Sequence, residues 1–532
     1  MSKDPYEGSL DRSATRGVQT ITFPVPGGKP DEICVVPQHL PFANYRGNDG
    51  EKDIAAEKLL ASYDFYKMGN TPDNGAVAIC PKSKSTSAAV ELIEIPTGST
   101  KASQETASYC SALEKSGKTL AKFKQTDNAF TTTSTAAVLG YYHLSRVLGD
   151  ICEIKPAVLR TMDIEQHKHI VKLAADMGIH GTVRKSWDLF NKYYTNPAAS
   201  SVAQSLFTSD FTQIYGALIE NTSGEENYAA WLSVGTNLSS TQAFGHMSDA
   251  RPIKAILGST QFSQENVQAL VGMRDMSEMI LIDYLMAQSD RLTGGNISDY
   301  NFIYFIDGDH IKSVNAHKAD GVPANAVKVS VKKLTIKDTD AGLLNTNVFE
   351  QKGYISQISH MHPDTYNRLI AFAQKWQEDP TVKEFFHQEC TLSASQLARF
   401  EKYILTAANT LQTRHGNGKL LLDLDLDDYF HPGITSSPLA VITGSVGRWE
   451  KGAGNLQADV ETVQRLLQAA AQKLQAPDLD PKGVDGKIAR LPKKSNTVAA
   501  IEAFQSRSNI SIDGLIEPDS QTWQALLQAA GT

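Results

Sequence analysis

The sequence predicts an α+β protein of several domains: a β-rich N-terminal stretch, a larger mixed domain and a small helical C-terminal module. Three observations carry this. The 532 residues exceed what one core holds, so roughly two to four domains are expected. Apolar periodicity switches repeatedly between the strand and helix repeats. A Pro/Gly/Ser-rich stretch, HPGITSSP, then separates the last ninety or so residues from the rest.

The bulk composition narrows the function. Hydrophobic and charged fractions of 41% and 21% belong to a folded chain rather than a disordered one. A net charge of −8 disfavours nucleic acid as the main partner, while leaving room for a small anion held by a few local cations. The five cysteines (Cys34, Cys80, Cys110, Cys152, Cys390) are dispersed without a CxxC pair. They read as thiols of a protein made in a reducing cytosol, not as a disulfide framework or zinc site. The N-terminal MSKDPYEGSLDRSATRG lacks the apolar centre of a signal peptide. No apolar run approaches the roughly 18 residues that span a bilayer, so an integral membrane protein is not expected.

Along the chain, residues 1–105 mix short β-like runs (ITFPVP, EICVVP, AVAICP, VELIEI) with one helical stretch, DIAAEKLLASYDFYKM. They read as an N-terminal extension with no assignable chemistry. The main domain covers residues 106–415. A strand pair around Ser116-Gly117 is expected to lead into TLAKFK, followed by the helix-like AAVLGYYHLSRVLG. MRDMSEMILIDYLMAQ carries apolar residues at i, i+3, i+4 and i+7, as a buried helix requires. NFIYFIDGDHIKSV predicts a hairpin turning at Asp307-Gly308, and VKVSVKKLTI a further strand. Helices return over 363–414. Within the linker 416–442, LDLDLDD reads as a strand with a solvated acidic face. No internal repeat is visible.

The C-terminal module covers residues 443–532. DVETVQRLLQAAAQKL predicts an amphipathic helix with Asp459 placed to cap it. VAAIEAFQ predicts a second helix, and a third carries Trp523 and Leu526. Two V/I-D-G-x-I turns, Val484–Ile488 and Ile512–Ile516, separate them. DVETVQRLL, DGKI, AIEAFQ and IDGLIEPDSQTWQALL together resemble the three-helix peptidoglycan-binding type 1 module. The resemblance implies peptidoglycan as a partner. The chain departs from that family in having PKKSN where a Gly-Pro-Thr turn usually stands. The preceding ITGSVGRWEKGAGN resembles a lead-in found beside such modules on bacterial secretion-system cargo, which implies contact with secretion-apparatus components.

The chemistry concentrates in IDYLMAQSDRLTGGNISDYNFIYF. Here a long apolar helix ends in an Asp-Arg pair, Asp290-Arg291, followed by a Gly-rich loop, an asparagine and a strand. Phosphoryl transfer needs a carboxylate near the acceptor hydroxyl and an amide oxygen on a metal ion. Asp290 would orient or deprotonate the acceptor, and Asn296 or Asn301 would ligate the metal. The strand ending in KDTDAGL supplies Asp338 and Asp340, hard oxygen ligands of the kind magnesium prefers. In TLAKFK, strand alternation puts Lys122 and Lys124 on one face, where either would bind phosphates as a point charge. Lys124 is the preferred candidate.

These pieces, FK at 123–124, LSRVLGDICEIKPAVLR, DYLMAQSDR and KDTDAGL, resemble in order the atypical kinases related to HipA-like kinases, secretory-pathway casein kinases and type II phosphatidylinositol 4-kinases. The resemblance implies a bilobal kinase-like domain using ATP with Mg2+ or Mn2+, and transfer to a protein, lipid or glycan acceptor. Three departures stand out. TTTSTAAVLGYYHL carries no glutamate to pair with the strand lysine, leaving Glu153 or Glu114 as substitutes. The DRLTGGN loop is one residue longer than the family's. An alternative alignment of VNAHKAD would put Asn315 where the metal aspartate belongs. A catalytically degenerate kinase-fold adaptor therefore stays open. So does a cell-wall hydrolase, although no zinc or Cys/His motif is present. The pairs His167/His169 and His360/His362, and His387 near Cys390, read as structural. A wall-binding module without a signal peptide fits an effector or toxin made in the bacterial cytoplasm and exported by a signal-peptide-independent system.

Overall fold

The computed structural model describes residues 4–15, 17, 19–37, 50–68, 75–83, 85, 87–116, 119–127, 133–221, 226–227, 238–291, 297–308, 310–430, 442–518 and 520–530. Its centre is a seven-stranded antiparallel sheet. The strands are β1 (Gln19–Val25), β2 (Lys29–Val36), β3 (Ala78–Pro81), β4 (Val90–Ile93), β5 (Thr119–Gln125), β6 (Ala157–Asp163) and β7 (Gln213–Glu220), in the order β1-β2-β6-β7-β5-β4-β3. The architecture is α+β, as the alternating periodicities predict.

The expected boundary at 105/106 is corrected by this sheet. β2 pairs with β6 and β4 with β5, so the first hundred residues supply four strands of a single sheet. The physical reason lies in the runs themselves. AICP is buried at all four positions and VELI at three, and such strands need a partner on their flank as well as cover on their faces. Both faces of the sheet are covered. Ala157, Leu159, Tyr215 and Ala217 pack with the wholly buried helix Thr135–Val147. Val158, Met162, Ile214 and Leu218 face the helices Ile164–Asp176 and Gly181–Tyr193. A period of two in the side chains feeds both cores.

Arg160 places a buried charge within this sheet. Its guanidinium is fully buried and paired with Glu32 at 2.9 Å, lying 3.8 Å from the centre of the Phe23 ring and 4.4 Å from that of Phe65. Glu32 also accepts from the Tyr66 hydroxyl (2.6 Å) and the Asp163 amide (2.7 Å), which satisfies the carboxylate, while the Arg160 Nε is left against the aromatic rings without a hydrogen-bond partner.

A second sheet joins β8 (Glu226–Asn227), β9 (Ile297–Asp307), β10 (His310–Asn315) and β11 (Lys328–Ile336), with β9 central. The β9–β10 hairpin turns at Asp307-Gly308, where Gly308 has φ 62°. Against β11 lies the helix Gln264–Leu285, buried along nearly its whole length, which also packs on the helix Ala394–Gly416. The N-terminal residues tie these parts together. The Ser209 amide donates to the Leu10 carbonyl (2.8 Å), and Asp4 accepts from the Ala394 amide (2.6 Å).

Three further expectations are corrected. Cys80, on β3, and Cys110, in the helix Ala107–Ser116, form a disulfide. Helix packing against an edge strand brings them together, a proximity that sequence spacing does not reveal. Cys34, Cys152 and Cys390 are buried thiols. LDLDLDD is not a strand. Residues 422–425 are irregular and lead into the helix Leu426–Phe430. Its acidic residues face histidines: Asp423 to His360 at 2.7 Å, Asp425 to His362 at 3.3 Å and Asp427 to His310 at 2.9 Å. Asp459 does not cap its helix. Leu456 occupies that position, while Asp459 lies inside the first turn and accepts from the Thr443 (3.0 Å) and Gly444 (2.7 Å) amides.

The C-terminal module has the helices Gln457–Lys473, Asn496–Arg507 and Gln521–Ala530, with β12 (Val446–Gly447) pairing β13 (Leu515–Ile516). It also holds a repeat that the sequence reading missed. The Gln464 amide accepts from the Asp485 and Gly486 amides and donates to Asp485 and Thr497. Gln505 does the same with Asp513, Gly514 and Thr522. Gly486 and Gly514 both adopt φ near +66° (66° and 67°). The separation from glutamine to aspartate is 21 residues in one copy and 8 in the other, so no fixed period betrays the repeat.

Removing one partner of the buried pair strands the other. Arg160→Ala should lower unfolding stability by about 3–5 kcal/mol in denaturant titrations, and Arg160→Met combined with Glu32→Gln should recover much of that loss.

Candidate active site

Strand β5 sets the first half of the site. Ala121 and Phe123 turn into the core, which leaves Lys122 and Lys124 on the opposite face. Both line a cleft of about 290 Å3 together with Lys82, Lys155 and Lys337. Ala89, Val138, Ile154, Ile219 and Ile336 give it apolar walls. Glu220, Asp338 and Thr339 also line it, so five lysines and two carboxylates surround an apolar slot.

The second half comes from the end of β11. After Ile336 the chain turns through Asp338, whose backbone is left-handed (φ 47°, ψ 58°), into a short turn and then Gly342. A non-glycine residue in that region is held there by its surroundings. Gln288 reaches the Asp338 carbonyl (3.4 Å) and the Ser134 amide donates to the Asp340 carbonyl (2.9 Å). Lys124 Nζ lies 2.8 Å from Asp338 Oδ1 and 2.8 Å from Asp340 Oδ1. The Lys124 ammonium holds the Asp338 carboxyl far below the usual carboxylate range. For Lys124 itself, burial opposes the charge, but the two carboxylates outweigh it and raise its pKa.

Asp290 stands beside this pair. Gln288 Oε1 accepts from the Ser289 (2.9 Å) and Asp290 (3.3 Å) amides and so shapes the loop. Burial pushes the Asp290 carboxyl up to about 6, and Asp340 and Asp338 reinforce the rise against the lowering effect of Arg291 and Lys124. Arg291 is not in the cleft. Its side chain is wholly buried, paired with Asp283 (Nε to Oδ2, 2.9 Å) and donating to the Lys337 carbonyl. Tyr141 donates to the same Asp283 at 2.7 Å. Arg291 therefore acts as a positioning residue, joining helix, loop and strand end, and the expectation that it is catalytic is corrected on that ground.

The helix Thr135–Val147 carries no acidic residue, and the partners of Lys124 are Asp338 and Asp340. The helix packs closely on the turn after them, where a Cβ added to Gly342 would lie 3.0 Å from the Tyr141 ring and 3.3 Å from the Ala137 Cβ. Glu153 pairs with Lys333 at 2.5 Å, so it does not substitute. The Glu114 side chain and Asn296 lie outside the described residues. Asn301 pairs across the ladder with Lys332, four steps from the Ile297–Ile336 pair. At about 3.3 Å per residue that places it roughly 13 Å along the strand, so it is not brought to Asp338. Asn315 pairs with Phe302 in β10, which sets aside the alternative alignment.

Among the described residues no group of three or more His, Cys, Asp or Glu side chains could hold a metal ion. Two carboxylates, Asp338 and Asp340, do converge. That is the donor number magnesium takes from proteins when substrate phosphates supply further oxygens. The histidines play other parts: burial pushes His167 down to about 3, and its ring meets the Tyr194 hydroxyl at 2.6 Å.

Sequence reasoning missed Lys82, Lys155 and Lys337. Only Lys337, adjoining Asp338, had a local cue. Among the described residues no helix is long and apolar enough to cross a membrane. No family model matches the chain, and no curated protein is detectably similar to it.

Because its folded pKa lies above the ordinary aspartate value, Asp290 should be protonated below about pH 6 and ionised above it. A carboxyl-carbon NMR titration, with Asp290→Asn to assign the signal, should show one aspartate turning over near 6 while Asp338 stays ionised well below that.

Proposed function

We propose that this chain is a metal-dependent phosphotransferase of the atypical-kinase type, using ATP with Mg2+ or Mn2+. The observation that carries the reading is Lys124 bonded to Asp338 and Asp340 across a lysine-lined cleft, with Asp290 beside them. Kinases place a phosphate-binding lysine on the third strand, beneath a loop that covers the phosphates, and a metal-holding aspartate opposite. Lys124 lies on the third strand from one sheet edge, and the β3–β4 connection contributes Lys82 and Ser85 to the cleft wall.

The residues divide the work. Lys124, with Lys82, Lys122 and Lys155, would hold phosphate oxygens; Asp338 and Asp340 would hold the metal ion. When bound, that ion neutralises the charge on the phosphates. Asp290 would accept the proton of the acceptor hydroxyl, being mostly ionised at neutral pH. Arg291 keeps the loop in register with Asp338 through the Lys337 carbonyl. The acceptor is a protein, lipid or glycan hydroxyl.

The delivery half of the proposal is an exported bacterial effector or toxin, made in the cytoplasm, moved by a signal-peptide-independent apparatus and held at peptidoglycan by its C-terminal module. The Cys80–Cys110 disulfide supports action in an oxidising compartment. A second reading, a kinase-fold adaptor without turnover, draws on the missing helix glutamate. It differs from the first in one respect: nucleotide would bind without being consumed.

The test is turnover of ATP with magnesium or manganese. Asp290→Ala and Asp338→Ala should each lose at least a hundredfold in rate, and Lys124→Ala should weaken ATP binding. Binding without turnover would select the adaptor. Neither turnover nor a nucleotide-dependent thermal shift would remove both readings.

A further inference from the structure

We infer that the Cys80–Cys110 disulfide is a latch on the cleft, closed only in chains that fold in an oxidising compartment. β3 is an edge strand, hydrogen-bonded on one side to β4 alone. Its other flank is fastened to the segment 101–110 at three points. Lys101 Nζ donates to the Val77 carbonyl (2.9 Å), Glu105 accepts from the Ile79 amide (2.8 Å), and Cys80 is joined to Cys110. The two polar fasteners hold residues 77 and 79. The covalent one holds residue 80 and is the nearest of the three to Lys82.

That end shapes the cleft. Lys82 closes the hairpin by donating its amide to the Ala89 carbonyl (2.9 Å), and the side chains of Lys82, Ser85 and Ala89 all line the cavity. With the disulfide open, the strand keeps its upstream ties and loses the one nearest the ligand. The loop it closes runs from residue 80 to residue 110 and contains the hairpin connection, β4 and two helices. A cross-link over a loop of this length restricts the unfolded chain substantially.

The chemistry balances with a disulfide oxidant of the glutathione-disulfide or thiol-oxidoreductase class. The Cys80 and Cys110 thiols give up two protons and two electrons to R–S–S–R, forming the intrachain bond and two R–SH. Once formed, the bond is shielded, because Cys80 is 0% and Cys110 3% exposed. The state is therefore set while the chain folds. A chain folding in the cytosol would carry an open latch and a loose cleft edge; a chain folding outside would carry a firm one. The effect on nucleotide binding rests on the phosphotransferase reading, whereas the effect on the strand does not.

The full chain should be refolded with glutathione disulfide and compared with Cys80→Ser/Cys110→Ser, and with Cys80→Ala/Cys110→Ala in case the serine pair misfolds. Hydrogen exchange over residues 78–93 should be at least fivefold faster in the variants, and Mg-ATP affinity at least fivefold weaker. Faster exchange with no Mg-ATP binding in any form would sustain the latch and sink the kinase reading. Unchanged exchange over 78–93, or free thiols at both positions after oxidative refolding, would overturn the latch.

Discussion

The buried pair of Asp283 and Arg291 ties together three elements at the point where the candidate site lies. Asp283 stands in the last turn of the long helix, Arg291 in the loop after it, and the guanidinium reaches the carbonyl of Lys337 at the end of β11. Tyr141 brings in a fourth element by donating to Asp283. A charged pair with no solvent contact is tolerated only where its hydrogen bonds are met, and here nearly all of them are spent on backbone or partner side chains that carry the site. Gln288, bonded to the Asp338 carbonyl, and the Ser289 amide, bonded to the Ala341 carbonyl, hold the same loop to the same strand end.

Around that junction the electrostatics are set by a few charged side chains. The helix Thr135–Val147 brings no acidic side chain, and the lysine on β5 pairs with Asp338 and Asp340. Lys124 is 12% exposed and Asp340 9%, so their attraction is little screened, whereas Asp338 is 48% exposed and faces the cleft. One arrangement thus keeps a charged lysine, a firmly ionised aspartate and, in Asp290, a carboxyl held near neutrality within one small volume.

Much of this site was legible because it depends on local periodicity. The alternation of TLAKFK put both lysines on one face, the Asp307-Gly308 turn set the hairpin, and the Asp-Arg and Asp-Thr-Asp segments each followed an element whose end could be read. What depended on packing was not legible. The strands before residue 105 looked like an extension because β2 finds its partner far along the chain, with Cys34 opposite Arg160. The acidic run at 422–428 was read by its alternation, which turned out to match histidines rather than a neighbouring strand. Arg291 looked catalytic by its position beside Asp290, and only its depth shows that it serves geometry.

The duplicated glutamine networks of the C-terminal module have a consequence for how far that module can be divided. The helix Asn496–Arg507 closes the first network through Thr497 and opens the second through Gln505, so the two copies overlap in one element rather than standing side by side. Neither copy is a detachable unit. The glutamine bracket closes over 21 residues in one copy and 8 in the other, so it fixes the turn and not the length of chain before it, and removing either copy would take part of the helix that the other uses.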